Sequence, residues 1–169
     1  MQHRRVFALC LGLCALLACP AYTQTQPPHL PPKEPAAPMH ATGTFHVKMT
    51  PQTEEKADGS TLSRLSMEKQ FHGDLEATGK GEMLGARAEI QGSAGYVAME
   101  RVTGKLQGRS GSFVLQHIGT MTRGALQMSV TVVPDSGSGQ LAGLAGTMTI
   151  KIENGQHFYD FAYTLAAAP

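Results

Sequence analysis

The stretch Thr147-Met148-Thr149-Ile150-Lys151-Ile152-Glu153-Asn154-Gly155-Gln156-His157-Phe158-Tyr159-Asp160-Phe161-Ala162-Tyr163 decides the fold. Asn154-Gly155 suits a two-residue type I′ turn, in which both central positions need positive φ. That turn fixes a register pairing Glu153 with Gln156, Ile152 with His157, Ile150 with Tyr159 and Met148 with Phe161. Cross-strand partners share a face. Met148, Ile150, Ile152, His157, Tyr159, Phe161 and Tyr163 therefore form one apolar face, while Thr147, Thr149, Lys151 and Asp160 fall on the other. Two strands that agree on one face make a hairpin with an inside and an outside.

The same alternation recurs upstream. Eight strands are predicted, over 41–50, 61–73, 77–84, 94–104, 111–121, 125–133, 144–153 and 156–165. Separators such as Asp58-Gly59, Gly73-Asp74, Gly92, Arg123-Gly124 and the run Asp135 to Gly139 stand between them. Short strands at regular spacing, with no helical period, favour an all-β sandwich or an up-and-down barrel. The 169 residues allow one domain of this kind, and the 19 glycines fit its turns.

Charge excludes one class of partner. Fourteen Lys and Arg against thirteen Asp and Glu give +1, and no basic patch accompanies the aromatic residues of 158–163, so nucleic acid is not expected. No Walker loop, Gly-x-Ser-x-Gly elbow or His-Glu-x-x-His is present, and Gly79-x-Gly81 lacks the following helix of a dinucleotide site. The histidines do not pair at metal-ligand spacing, so neither metal nor other cofactor is expected.

The N-terminal 39 residues read as an address and a tether. Arg4 and Arg5 precede an unbroken apolar or small run, Val6 to Ala18. As a helix that run is about 20 Å long, against about 30 Å of bilayer hydrocarbon, which suits a signal peptide better than a span. Leu16-Leu17-Ala18-Cys19 resembles a bacterial lipobox, so acylation of Cys19 and attachment to the membrane are expected. Cleavage after Ala21 is the alternative. Either route exports the protein to the bacterial envelope or beyond. Residues 20–39 carry seven of the ten prolines, an extended linker rather than a core. The domain is expected over 40–169.

Parity also sorts the polar residues. Lys69 shares a face with Leu65, Met67 and Phe71; a lysine there either snorkels at a rim, the commoner arrangement, or is buried with a partner. In 94–104, Tyr96, Ala98, Glu100 and Val102 oppose Val97, Met99, Arg101 and Thr103, so either face carries a charge inward. In 111–121, His117 lies with Phe113 and Leu115, and Gln116 between Val114 and Ile118. Glu100, His117 and Lys69 are thus the acid–base candidates, with a structural ion pair as the bland reading. Tyr96, Gln116, His157 and Tyr159 are the candidates to touch a ligand.

Several stretches resemble a bacterial family of uncharacterised domains: Thr61 to Leu75, Val97 to Gly104, Gly108 to His117, and Val133 to Gly146 with its Ser-Gly-Ser-Gly-x-Leu-x-Gly-Leu-x-Gly pattern. The resemblance covers residues 40–165. That family is similar to the allene oxide cyclase barrel, a calycin-type eight-stranded fold whose glycine-rich hairpin the last stretch resembles. It implies an eight-stranded barrel, a cavity for an apolar ligand, an inward glutamate and a homo-oligomer. It does not imply cyclase activity. Three functions are carried forward: a binder of a small hydrophobic molecule, an isomerase- or cyclase-like enzyme using Glu100 with His117 or Lys69, and a structural or partner-binding envelope protein.

Overall fold

The computed structural model describes residues 37–166, so the signal, the lipobox cysteine and nearly all of the proline-rich stretch lie outside the described residues. Eight antiparallel strands follow one another around a closed up-and-down barrel, β1 to β8, with β8 pairing back onto β1. They are β1 Met39–Ala57, β2 Ser60–Gly73, β3 Leu75–Ala88, β4 Ala94–Leu106, β5 Arg109–Thr122, β6 Ala125–Val132, β7 Leu144–Glu153 and β8 Gln156–Leu165. All eight expected strands are present. The β7–β8 register is the one that the Asn154-Gly155 turn dictates, with both turn residues at positive φ.

Differences fall at strand ends. β3 starts at Leu75 because Leu75 and Glu76 pair with Leu106 and Lys105 of β4 at the filled end of the barrel. β1 runs on to Ala57 and β3 to Ala88 because these extensions pair with β2 above the packed core. That overhang is polar and exposed in β1, so alternation carries no signal there. Ile152, expected inside by parity, is 57% exposed because its hairpin projects past the core. The glycine-rich run after Val133 is not a hairpin. Residues 133–143 lie along β5, with Val133 N–H donating to Val114 C=O at 2.9 Å and Ser138 N–H to Ser112 C=O at 2.8 Å. The run ends in a single turn of 3-10 helix that buries Leu141.

The two ends of the barrel therefore differ. At one end, residues 133–143, the β2–β3 and β4–β5 turns and the aromatic cluster fill the interior. Phe113 and Phe161 stack at 5.8 Å, and Phe161 and Tyr163 at 5.3 Å. Tyr159 Oη accepts from Leu75 N–H at 2.9 Å and donates to His72 C=O at 3.2 Å, which ties β8 to the β2–β3 turn. At the other end, four hairpin connections stand around an opening. The core belongs to the filled end, and the barrel is a cup.

Candidate functional site

β4 decides which charge enters the barrel. Glu100, Ala98, Val102 and Leu106 are buried, while Arg101, Met99 and Val97 face outward. The two faces of β4 are almost equally apolar, so only the neighbouring strands could resolve the choice. On β3 the inward positions level with Glu100 are Gly81 and Gly79. On β2 they are Met67 and Lys69, and on β5 Leu115 and His117 flank the same level. The glycines leave the volume that a carboxylate and an ammonium need.

Three polar side chains meet in that volume. Glu100 Oε2 accepts from Lys69 Nζ at 2.8 Å and from His117 Nε2 at 3.0 Å. Glu100 is 0% exposed, His117 3% and Lys69 7%. Lys69 is thus not at a rim, as the commoner arrangement would have it. Its ammonium has a counter-charge, and it lies 4.8 Å from the Phe45 ring centroid and 5.6 Å from that of Phe71. A desolvated cation gains from such ring faces.

Burial alone would raise the Glu100 carboxyl. The hydrogen bond from His117, and the charge and hydrogen bond of Lys69, outweigh it and hold the group below the ordinary glutamate range. An ionised carboxylate only accepts, so the His117 proton shared with Glu100 sits on Nε2. Among the described residues, Glu100 Oε1 is the buried side-chain oxygen with no hydrogen-bond partner. It rests against Gly79, where an added Cβ would collide with it. A Cα–H···O contact from glycine is a weak substitute for a donor. The triad is satisfied on one oxygen and merely tolerated on the other.

The open end holds a separate space. A cavity of about 350 Å³ is lined by Leu65, Met83, Tyr96, Met121 and Leu126 with Gly85 and Gly119, and Thr53, Ser63, Thr120, Glu54 and Arg87 also border it. Arg87 and Glu54 form an exposed pair at 3.3 Å. Glu100, His117 and Lys69 do not line this cavity. Leu65 and Met83 pair across the sheet in the register row that continues through Ala98 to His117, so the cavity floor and the triad are neighbouring layers.

The ligand candidates separate accordingly. Tyr96 lines the cavity. Gln116 is exposed on the outer wall, paired with Met99, and does not reach the interior, because its strand turns His117 inward instead. Tyr159 spends its hydroxyl at the filled end. His157 packs against Phe45 with the rings tilted and their centroids 4.8 Å apart, and burial followed by the charges of Lys69 and His46 lowers its pKa. Cys19 lies outside the described residues. Sequence reasoning missed Gly85 and Gly119 as makers of space. Their signal was inward parity on β3 and β5, directly beside a large inward residue on β4. Among the described residues no group of three His, Cys, Asp or Glu side chains is placed to hold a metal ion.

The family model for proteins of unknown function DUF3224 matches residues 41–163. The chain belongs to the DUF3224 family. The crystal structure of a DUF3224 protein of unknown function from Shewanella oneidensis MR-1 is 52% identical, with a TM-score of 0.74, covering 78% of this chain and 99% of that one. None of the curated proteins matches. The DUF3224 match spans the barrel and says nothing of the first 40 residues.

Proposed function

We propose that the protein is an exported β-barrel that holds a small hydrophobic molecule in the open end of its cup. The observation that carries this reading is the cavity of about 350 Å³ and its largely apolar wall. Small-molecule sites are concave, mostly apolar and of roughly 300–1,000 Å³. Met83 and Met121 add adaptable, polarisable surface that suits an imprecise fit. The barrel is read as the allene oxide cyclase-like kind, a kinship of fold. The leader supports export, and Cys19 supports a lipid anchor on the bacterial envelope.

The enzyme reading has less support. A general acid or base must come within hydrogen-bond reach of its substrate, directly or through one water. Glu100 lies one layer below the cavity, ionised and shared between two donors, which weakens it as a base. The triad fits an internal ion pair that fixes the register of β2, β4 and β5.

The test is extraction of the purified full-length protein and mass spectrometry of what leaves it, beside Gly85→Leu. A Cβ at Gly85 meets only the Ser63 hydroxyl closely, at 3.2 Å, so the leucine side chain fills the cavity at modest strain. An apolar molecule recovered from the wild type and lost from Gly85→Leu supports the proposal. A wild type that yields none and takes up no apolar probe overturns it.

A further inference from the structure

Tyr96 stands between two glycines. Its cross-strand partner on β3 is Gly85 and on β5 is Gly119. The ring lies over Gly119, so closely that a Cβ there would collide with Cε1 and crowd Cδ1 and Cζ at 2.9 Å. Covering a bare glycine with a cross-strand aromatic ring stabilises a sheet, and phenylalanine would do that equally well. The lean towards β5 leaves the Gly85 side open, and that opening is part of the cavity. A phenylalanine would leave the Ser63 hydroxyl, 3.2 Å from the Gly85 Cβ position, as the polar group beside that opening.

The hydroxyl is what needs explaining. Tyr159 bonds its hydroxyl to the β2–β3 turn, and Tyr163 donates to Gln107 Oε1 at 2.8 Å. The Tyr96 hydroxyl has no such bond among the described residues, although the side chain is half-buried in a cavity wall. The hydroxyl is not among the buried unpartnered atoms, so it is open to the cavity and available to a molecule that enters it. Burial also raises the Tyr96 pKa, so the group stays a protonated donor throughout the physiological range. The other polar groups bordering the cavity come from Thr53, Glu54, Ser63, Arg87 and Thr120, and the two charged ones already pair with each other.

We infer that Tyr96 is the specificity-determining residue of the cavity, donating a hydrogen bond to an acceptor oxygen on an otherwise apolar ligand. The ligand class is therefore a hydrophobic molecule with a carbonyl or similar acceptor, rather than a pure hydrocarbon. Its apolar body packs on Leu65, Met83 and Met121 and fills the space that Gly85 leaves, and its oxygen meets the Tyr96 hydroxyl on the Gly119 side of the cavity. This inference rests on the binding reading above and adds the ligand's polarity to it.

Two isosteric probes test it: 2-acetonaphthone, which carries a carbonyl, and 2-isopropenylnaphthalene, in which a methylene replaces that oxygen. Affinities are read by displacement of N-phenyl-1-naphthylamine from the full-length protein, with thermal melts as the check on folding. The wild type should prefer the ketone about fivefold, the net worth of one neutral hydrogen bond. Tyr96→Phe should bind both probes at the hydrocarbon's affinity. Gly119→Ala, which drives the ring off β5, should also lose the preference. Equal binding of the two probes to the wild type, or a preference that survives Tyr96→Phe, overturns the assignment and leaves the cavity reading standing. A wild type that binds neither probe, nor the reporter, overturns both.

Discussion

Glu100 Oε2 is shared between Lys69 and His117, which reach it from opposite sides, 2.8 Å from β2 and 3.0 Å from β5. The strand between Glu100 and Lys69 is β3, whose glycines let the lysine cross it. Three strands are thereby joined through one carboxylate in the layer between a filled end and an open one. Removing water from three polar groups is unfavourable, and mutual bonding offsets it only while all three stay.

Glu100→Gln should therefore destabilise strongly. It leaves the Lys69 ammonium buried without a counter-charge, and unfolding in urea should show a loss of about 3 kcal/mol. Replacing the pair together, with Lys69→Met and Glu100→Met, should recover most of that loss. A double variant less stable than Glu100→Gln would show that the charges hold more than each other.

Acid should act through the same carboxylate. The folded pKa of Glu100 lies below its ordinary value of 4.5, so the unfolded chain binds the proton first. Stability from the ion pair is whole above about pH 4.5 and drains away as pH falls through the lower folded value. The lowered pKa of His157 works in the same direction, below its ordinary 6.5. Melting temperature against pH should fall in both windows, and the lower step should vanish in Glu100→Gln.

Gly79 should tolerate no side chain. A Cβ there collides with Glu100 Oε1, and the buried carboxylate has nowhere to retreat. Gly79→Ala should lower the melting temperature more than Gly85→Leu does, although it adds fewer atoms. Similar melts for the two would mean that Glu100 can swing aside.

Cys19→Ser should block processing and keep the protein out of a detergent phase. A wild-type chain cleaved after Ala21 and freely soluble would remove the lipid anchor and leave export intact.

Some of this was legible beforehand. The β7–β8 hairpin followed from Asn154-Gly155 and two agreeing alternations, and the strand count from repetition of that pattern. Glu100, His117 and Lys69 were visible as polar residues on apolar faces. Their convergence was not, because contact across four strands depends on the width of β3, and Gly79-x-Gly81 reads as an empty motif until Glu100 lies beside it. Gln116 was a ligand candidate because Val114 and Ile118 make its side of β5 apolar too, and the structure turns that side outward. The cavity was invisible without the neighbouring strands. It is made of what Gly85 omits and of the lean that Gly119 allows the Tyr96 ring.

The most direct measurement is titration of N-phenyl-1-naphthylamine into the wild type, Gly85→Leu and Glu100→Gln, with the melting temperature of each. The account predicts saturable binding by the wild type and at least a tenfold loss in Gly85→Leu with little change in melting, as expected of a filled pocket. Glu100→Gln should melt earlier and bind within about twofold of the wild type wherever it is folded, since its carboxylate does not line the pocket. Undiminished binding by Gly85→Leu, or lost binding by a fully stable Glu100→Gln, would contradict it.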